Sequence, residues 1–365
     1  LAAIWSCLAG SAAAWDKDGH EAIGMTAMSA LETSTVTQVK RLMGGRDAVD
    51  VAGWAHKVSK KYPWTADLHM QTQPEWRCTS GKHVDLTHCP DNRCLVRALK
   101  HFYGRLIGQK LMEIEWPSNM HLTDADAVKF MINLIGDLHQ PMHFGIPGDN
   151  MGRNATVMFR GRKTTLYDLW DGDITQAIIK ESPGFWWGGW THVQRTRVEY
   201  EKDGQLWKTD SVSMFDKWAE ETSQYLCQSV YTNPRTGRPL SESMHEGVIR
   251  IDEGLFETWK RDMLSRMLVA GARTAIVLNA VLAHRSEATH LSAGTAVSHI
   301  DPEEDEAKTK GPHGLGPYGR GESHKPRGFE KHWGFGPVQG PQAGLINLFI
   351  FAVTLTLFLT LMKIW

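Results

Sequence analysis

Apolar residues recur at helical spacing in the first half of the chain. The segment HEAIGMTAMSAL (20–31) places Ile23, Ala27 and Leu31 on one helical face. The segment TDADAVKFMINLIGDL opens with Thr123, a residue type that caps helices well, and then continues with apolar residues at the same period. MLSRMLVAGARTAIVLNAVLA (263–283) predicts a third, long helix. The pattern predicts a mainly α fold of several helices.

One pair of segments has strand character. NATVMF (154–159) and TTLYDLW (164–170) are separated by the polar turn RGRK. We therefore predict a small β-hairpin in an otherwise helical domain.

Two further apolar segments lie near the ends of the sequence. LAAIWSCLAGSAAA (1–14) finishes in small residues, as a partial signal peptide does, with a buried helix as the alternative. LINLFIFAVTLTLFLTLM (345–362) has no charge and is long enough to cross a bilayer, with a lipid-anchor signal as the alternative. The helix at 263–283 contains two arginines and is not expected to span a membrane.

Composition divides the 365-residue chain into four parts. Residues 1–14 are the predicted partial signal peptide, and 15–288 are mixed in composition and predict a globular domain. Residues 289–342 are rich in Gly, Pro, His and charge and predict a disordered stalk. Residues 343–365 contain the predicted transmembrane helix. The expected location is the secretory pathway, with a membrane-anchored domain facing the lumen or the cell exterior. A net charge of -1 gives the chain no overall attraction to polyanions.

Four cysteines remain beyond the signal peptide. Cys89 and Cys94 enclose only PDNR, and a disulfide between them leaves Cys78 to pair with Cys227. Zinc binding by all four is the alternative, although the sequence has no Cys-x-x-Cys pair to support it.

The segment INLIGDLHQPMH (132–143) carries the first candidate chemistry. Asn133 and Asp137 lie four residues apart and share a helical face. Pro141 ends the helix and allows His143 to return toward the carboxylate. This spacing gathers metal ligands, whereas a capped helix with surface histidines is the alternative for this segment alone.

Other segments add ligand types that suit zinc. His20 follows Trp15, whose α-amine and carbonyl would chelate a metal if cleavage makes it the mature terminus. GWAHK contributes His56, ADLHMQ contributes His69, and LYDLWDGD contributes Asp171. Imidazole and carboxylate ligands together hold zinc, which polarises phosphodiesters and acidifies bound water.

These segments resemble the secreted, zinc-dependent, single-strand-specific nucleases of fungi and plants, the nuclease S-one and P-one family, which shares its fold with trizinc phospholipase C. The resemblance covers about 15–285. It rests on WDKDGH, VAGWA, DLH, CPDNRCLVRAL, LIGDLHQPMH, GDNMGRN, LYDLWD, DKWAEETSQYLCQSVY and AGARTAIVLNAVL.

The resemblance implies three zinc ions and a phospholipase C/nuclease-type fold. One zinc of a close pair would take Trp15, His20 and Asp137, with Asp137 bridging the pair. The second zinc would take His56, His69, residue 133 and Asp137. A separate zinc would take His143, residue 167 and Asp171. The implied chemistry is hydrolysis of a phosphodiester to a 5′-phosphate and a free 3′-hydroxyl.

The chain departs from this family at three ligand positions. His56 stands in place of an aspartate, so it cannot supply the carboxylate that orients the attacking water. Asn133 and Tyr167 each replace a histidine, and an amide oxygen or a neutral phenol binds zinc weakly. Zinc occupancy is therefore in question at the sites that contain them.

Two further residues take their expected roles from the resemblance. Met70 stands where a base-stacking aromatic usually follows the Asp-Leu-His histidine. Asn154 begins a glycosylation sequon, but the family uses this asparagine to hold the scissile phosphate. We therefore expect Asp137, His56 and Asn154 to be catalytic.

The main hypothesis is a zinc-dependent endonuclease that cuts single-stranded RNA and DNA, with 3′-nucleotidase activity as a further expectation. The three substitutions motivate a second hypothesis, a weakened or non-catalytic metal-binding descendant of the fold. Phospholipid hydrolysis is the third hypothesis.

Overall fold

A computed structural model describes residues 15, 17–72, 78, 85–117, 120–145, 149–181, 190–288 and 300. These residues belong to the first of two compact units, residues 1–309, and the second unit, 310–365, is outside them. The predicted signal peptide and transmembrane helix, and the stalk apart from Ile300, also lie outside the described residues.

Helices form most of the described structure and confirm the mainly α prediction. They are α1 (Lys17–Ala30), α2 (Thr33–Leu42), α3 (Trp54–Lys61), α4 (Leu95–Leu106), α5 (Asp124–Leu138), α6 (Leu166–Asp168), α7 (Ile174–Glu181), α8 (Trp190–Thr209), α9 (Ser211–Tyr225) and α10 (Glu253–Ala288). Short 3₁₀ turns occupy Pro63–His69, Pro90–Asn92, Pro141–Phe144 and Leu240–Ser243, and π turns occupy Leu169–Asp173 and Leu226–Val230.

Helix α5 begins where the sequence predicts. The Thr123 hydroxyl accepts a hydrogen bond from the Asp126 amide, and the Asp126 carboxylate accepts one from the Thr123 amide. This reciprocal capping satisfies two amides at the helix start. From Asp126 to Leu138 every residue of α5 is buried, so the helix runs through the core.

Helix α10 packs against α1, α8, α5 and α7. Over Glu253–Leu282 it is long and apolar enough to cross a membrane, but 72% of its most apolar window is buried inside the protein. That burial is the environment of a core helix.

The predicted hairpin is present and belongs to a larger sheet. Strands β1 (Thr156–Phe159) and β2 (Arg162–Thr165) pair antiparallel, with Val157 opposite Thr164. Strand β6 (Val248–Arg250) adds parallel to β1, and β5 (Met244–His245) adds antiparallel to β6. Strands β3 (Thr232–Asn233) and β4 (Arg238–Pro239) form a separate pair.

The predicted extent of the second hairpin segment was wrong. Residues 166–170 are helical, because the Thr165 hydroxyl accepts a hydrogen bond from the Asp168 amide and caps the turn that follows β2. This change of direction turns Tyr167 and Asp171 into the interior.

Both predicted disulfides are present. Cys89 bonds to Cys94 across a short loop that leads into α4, and Cys78 bonds to Cys227, 149 residues away. The alternative, a four-cysteine zinc site, is therefore wrong. Disulfides persist in oxidising compartments, so the pairing is consistent with a secreted domain.

Candidate active site

Asp137 lies at the end of α5 and is completely buried. One carboxylate oxygen, Oδ2, lies 2.5 Å from Nδ1 of His69, and the other, Oδ1, lies 3.2 Å from Nε2 of His20. Burial raises the pKa of the Asp137 carboxyl, but His69 and His20 outweigh burial and hold that pKa far below its usual value. Asp137 is therefore a buried carboxylate anion between two imidazoles.

The start of α1 is docked on the end of α5. The indole Nε1 of the fully buried Trp15 donates a 2.8 Å hydrogen bond to the carbonyl of Gly136. His20 also packs directly over Gly136, where a Cβ would lie only 2.9 Å from its Nδ1. The absence of a side chain at Gly136 therefore allows His20 to approach Asp137.

His56 adds a third imidazole beside those of His20 and His69. It lies on α3, and its ring centroid is 5.0 Å from that of His20 and 6.0 Å from that of His69. The four side chains come from α1, α3, the 3₁₀ turn Pro63–His69 and α5, so only the tertiary fold brings them together.

Asn133 lies one turn before Asp137 on α5 and is fully buried. Its Nδ2 donates to the backbone carbonyls of Val51 at 3.3 Å and Lys129 at 2.9 Å. Its Oδ1 has no hydrogen-bond partner among the described residues. The amide is therefore held by its donor side, which leaves the carbonyl oxygen as the available atom.

His143 is attached to the same region through the backbone. Its Nδ1 donates to the carbonyl of His69, and its own carbonyl accepts a 2.9 Å hydrogen bond from the Gln71 amide. Burial lowers the pKa of His143 to about 4 despite the opposing charge of Asp137. The imidazole is therefore neutral near pH 7, and its Nε2 has no hydrogen-bond partner among the described residues.

Tyr167 and Asp171 form the remainder of the third predicted ligand group. Both are buried, on α6 and in the π turn that follows it. Burial raises the pKa of Tyr167 well above its usual value, and the carboxylate of Asp171 adds to this. The guanidinium carbon of Arg153 lies 3.5 Å from the centroid of the Tyr167 ring. A neutral phenol covered by a cation is a poor ligand for another cation.

Asn154, Met70 and the hairpin arginines differ in how far they are exposed and in what they contact. Asn154 is exposed, and its backbone amide donates to the carbonyl of Asp149. Met70 is buried and offers little surface to a base. In the hairpin, Arg160 pairs with Glu253 and Arg162 pairs with Asp173.

By chemical type, the donor atoms around Asp137 suit the predicted zinc pair, whereas the covered phenol of Tyr167 does not suit the third zinc. Around Asp137 they are imidazole nitrogens and a carboxylate, the set that zinc prefers, and Nε2 of His69 is buried without a hydrogen-bond partner among the described residues. As arranged, no group of three or more His, Cys, Asp or Glu in the described ranges is poised to hold a metal. Asp137 is instead engaged by His20 and His69.

Two features near the site were not predicted from the sequence. Arg153 lies within the GDNMGRN segment, and its position beside Asn154 was the available signal. Both ring nitrogens of His139 have partners other than Asp137: its Nδ1 donates to the Ile135 carbonyl, and its Nε2 lies 2.9 Å from Nη1 of Arg273. Nothing in the local pattern distinguishes His139 from a ligand.

A buried carboxylate surrounded by imidazoles in a helical domain has the composition of the two-metal sites found in phosphatases, nucleases and related hydrolases. Comparison with known protein families shows which of these hydrolases the chain resembles. The S1/P1 Nuclease family profile matches residues 15–283, most of the chain, and the protein belongs to this family.

Individual relatives agree with the family match. The chain is 26% identical to Endonuclease 4 of Arabidopsis thaliana over 290 residues, which cover 76% of this chain and 92% of the relative. It is 23% identical to Nuclease S1 of Aspergillus oryzae over 244 residues, 59% of this chain and 76% of the relative. It is 23% identical to Nuclease P1 of Penicillium citrinum over 176 residues, 45% and 60% of the two chains. Family and relatives support a nuclease, a hydrolase whose substrate is nucleic acid.

Proposed function

We propose that this protein is a zinc-dependent endonuclease that hydrolyses single-stranded RNA and DNA to 5′-phosphate products and also acts as a 3′-nucleotidase. The observation that carries the proposal is the contact of His20 and His69 with the buried carboxylate of Asp137, with the ring of His56 beside both imidazoles. Membership of a nuclease family makes a phosphodiester the natural substrate for such a group.

Each residue of this group has a distinct task in the proposed enzyme. Asp137 would bridge the zinc pair, since one carboxylate has two oxygens and its charge offsets the repulsion between two cations. His20, with the amine and carbonyl of Trp15, would hold one ion, and His56 and His69 would hold the other. When bound, zinc supplies Lewis-acid polarisation of the phosphodiester and lowers the pKa of a coordinated water to about 7.

The surrounding structure favours a fixed geometry. The indole of Trp15 and the ring of His20 both rest on Gly136, so α1 and α5 position their ligands as one unit. Asn154 would hold the scissile phosphate from the exposed edge of the site, as the resemblance implies.

A second candidate is a weakened or non-catalytic descendant that retains metal binding. It is favoured by Asn133, whose amide group is bonded to two backbone carbonyls, and by His56, which lacks a carboxylate to orient water. Phospholipid hydrolysis follows only from the shared fold and is the least supported candidate.

The test compares zinc content and turnover on the same purified samples. We would measure zinc per chain by elemental analysis and hydrolysis of single-stranded RNA, single-stranded DNA and a soluble phospholipid. The variants are Asp137→Asn and the control Glu201→Gln, which removes an exposed carboxylate on α8. We expect Asp137→Asn to lose most zinc and to reduce nucleic-acid hydrolysis by at least about 100-fold, the scale expected for a group essential to charge stabilisation. The control should match the wild type.

Each alternative has its own outcome. Unchanged zinc and turnover in Asp137→Asn would refute a metal site at this position. If the wild-type protein binds zinc but hydrolyses nucleic acid only at the background rate, it is the non-catalytic descendant. Cleavage of the phospholipid alone would identify a phospholipase.

We also propose that the domain is exported and held at a membrane by residues 343–365, with 289–342 as a stalk. The two disulfides and the uncharged apolar run 345–362 support this arrangement. Truncation before Leu345 should release a soluble protein of unchanged specific activity. Membrane retention of the truncated protein would contradict the proposal.

A further inference from the structure

Arg153 differs from the other arginines near the site in what its guanidinium contacts. Arg160 and Arg162 in the adjacent hairpin pair with Glu253 and Asp173. The Arg153 guanidinium forms no ion pair or hydrogen bond with any of the described residues, and the side-chain contact it makes is with the face of Tyr167. Arg153 is partly buried, so its charge is held close to the protein, and no carboxylate in the described ranges pairs with it.

The partner of Arg153 belongs to the third predicted ligand group. Tyr167 is 3% exposed and belongs to that group together with His143 and Asp171. The guanidinium carbon is 3.5 Å from the ring centroid, well within the range of cation–π contact. A positive charge therefore lies against one of the three residues that the family resemblance assigns to the third zinc, and it also acts electrostatically on His143, another of them.

The local backbone favours this position of Arg153. Gly152 precedes it with a φ of +81°, and a Cβ there would lie 2.4 Å from the Met142 methyl and 3.1 Å from the Tyr167 amide. The Tyr167 amide donates to the carbonyl of Gly152. The loop is thus fixed against α6 by a glycine that no other residue replaces without strain.

We propose that Arg153 binds a phosphate oxygen of the substrate and takes the role of the third zinc, so that the enzyme operates with the metal pair alone. Planar guanidinium stacks on aromatic faces and presents N–H groups along its edge that match phosphate oxygens. Contact through the face leaves that edge available. That the bound phosphate belongs to a nucleic-acid substrate rests on the proposed function. Binding of phosphate at Arg153 can be measured without turnover.

The experiment uses the full chain loaded with zinc and two readouts that need no turnover. One is zinc per chain by elemental analysis, and the other is the dissociation constant for inorganic phosphate by calorimetric titration. The variants are Arg153→Gln, Arg153→Lys and Asp171→Asn. The control is Arg250→Gln, because Arg250 is exposed on β6 and its loss changes net charge equally.

We expect two zinc ions per chain in the wild type and in Asp171→Asn. Arg153→Gln should weaken phosphate binding about 10-fold or more, the scale of a lost charge-assisted hydrogen bond. Arg153→Lys should recover part of the affinity, since it keeps the charge but loses the planar fork. Arg250→Gln should bind phosphate as the wild type does.

Three results would overturn the inference. They are three zinc ions per chain with one lost in Asp171→Asn, a wild type that does not bind phosphate, and an Arg153→Gln variant whose phosphate affinity is unchanged. The last result, with a lowered unfolding midpoint, would assign the Arg153–Tyr167 stack a structural role only. If phosphate binding follows expectation but the wild type cuts no nucleic acid, the proposed function fails and the anion site stands.

Discussion

At the scale of single residues, the substitutions at 133 and 167 differ in how the structure accommodates them. Asn133 keeps the direction of a ligand, with its Nδ2 bonded to backbone carbonyls and its Oδ1 without a described partner. Tyr167 is enclosed and stacked under Arg153. Position 133 therefore presents an amide oxygen that no described residue engages, whereas the ring at position 167 is covered by a guanidinium.

Asn133→His should strengthen zinc binding. A neutral imidazole replaces a weak amide oxygen one helical turn before Asp137, and nitrogen ligands suit zinc better than amide oxygens. We expect the zinc affinity to rise about 10-fold or more, since one added nitrogen ligand exceeds the ~1.4 kcal/mol that a factor of ten requires. Competition with a chelator measures this affinity.

The control for an added histidine is Gln224→His on the exposed face of α9. It should leave zinc affinity unchanged. If Asn133→His also binds zinc no more tightly than the wild type, residue 133 does not face the metal pair. If affinity rises while hydrolysis stays at background, the non-catalytic descendant is favoured.

At the scale of elements, the packing of α1 on α5 determines where His20 lies. The contact requires a glycine at 136, because any Cβ there would approach the His20 ring to 2.9 Å. Gly136→Ala should therefore displace His20 and reduce both zinc content and hydrolysis, even though alanine stabilises helices by about 0.5–1 kcal/mol relative to glycine.

Gly204→Ala provides the matched control. Gly204 is also inside a helix, α8, but a Cβ there meets no atom closer than 3.9 Å. This variant should gain a few tenths to about 1 kcal/mol in stability, measured by denaturant unfolding, with unchanged activity. Wild-type zinc content in Gly136→Ala would show that the close approach of His20 is not needed.

A buried charge network joins α10 to the end of α5. Arg273 lies 2.6 Å from both Asp203 on α8 and Glu221 on α9, and it also contacts His139. Arg266 on the same helix donates a 2.8 Å hydrogen bond to the His139 carbonyl. The network therefore holds the backbone between Asp137 and His143 without using a predicted ligand.

Arg273→Met should destabilise the fold by about 3–5 kcal/mol, because it leaves the buried carboxylate of Asp203 without a cation. The free energy of unfolding in denaturant measures the loss. Arg160→Met removes an arginine from an exposed pair with Glu253 and should change stability by only about 0–1 kcal/mol. If the two variants lose equal free energy of unfolding, burial of the ion pair does not determine its contribution to stability.

At the scale of the whole molecule, the two disulfides constrain the unfolded chain very differently. The Cys78–Cys227 bond closes a separation of 149 residues, and the Cys89–Cys94 bond closes one of 5. The loop-entropy relation gives about 5 kcal/mol for the longer closure and about 2 kcal/mol for the shorter. The Cys78–Cys227 bond is therefore expected to contribute more to the free energy of unfolding than the Cys89–Cys94 bond.

Replacing each pair with alanines tests this difference. Unfolding under non-reducing conditions should show a larger loss for Cys78→Ala with Cys227→Ala than for Cys89→Ala with Cys94→Ala. A larger loss from the short link would indicate that residual structure or local packing outweighs chain entropy.

The sequence by itself determined much of the architecture. Helical period and the Thr123 cap predicted α5, apolar spacing predicted α1, and cysteine spacing predicted both disulfides. The helices follow from local propensity, and four cysteines can pair in only a few ways. The sequence pattern alone therefore predicts both features. The motifs together also identified the family that the profile match confirms.

The tertiary structure decided which side chains meet. The approach of His20 over Gly136, the stacking of Arg153 on Tyr167 and the orientation of His139 toward Arg273 each join segments that are distant in sequence or lie in irregular turns. Strands of two or three residues, such as β5 and β6, carry too little periodicity to be predicted. Such contacts depend on close packing among several elements, and local sequence does not encode the distances between them.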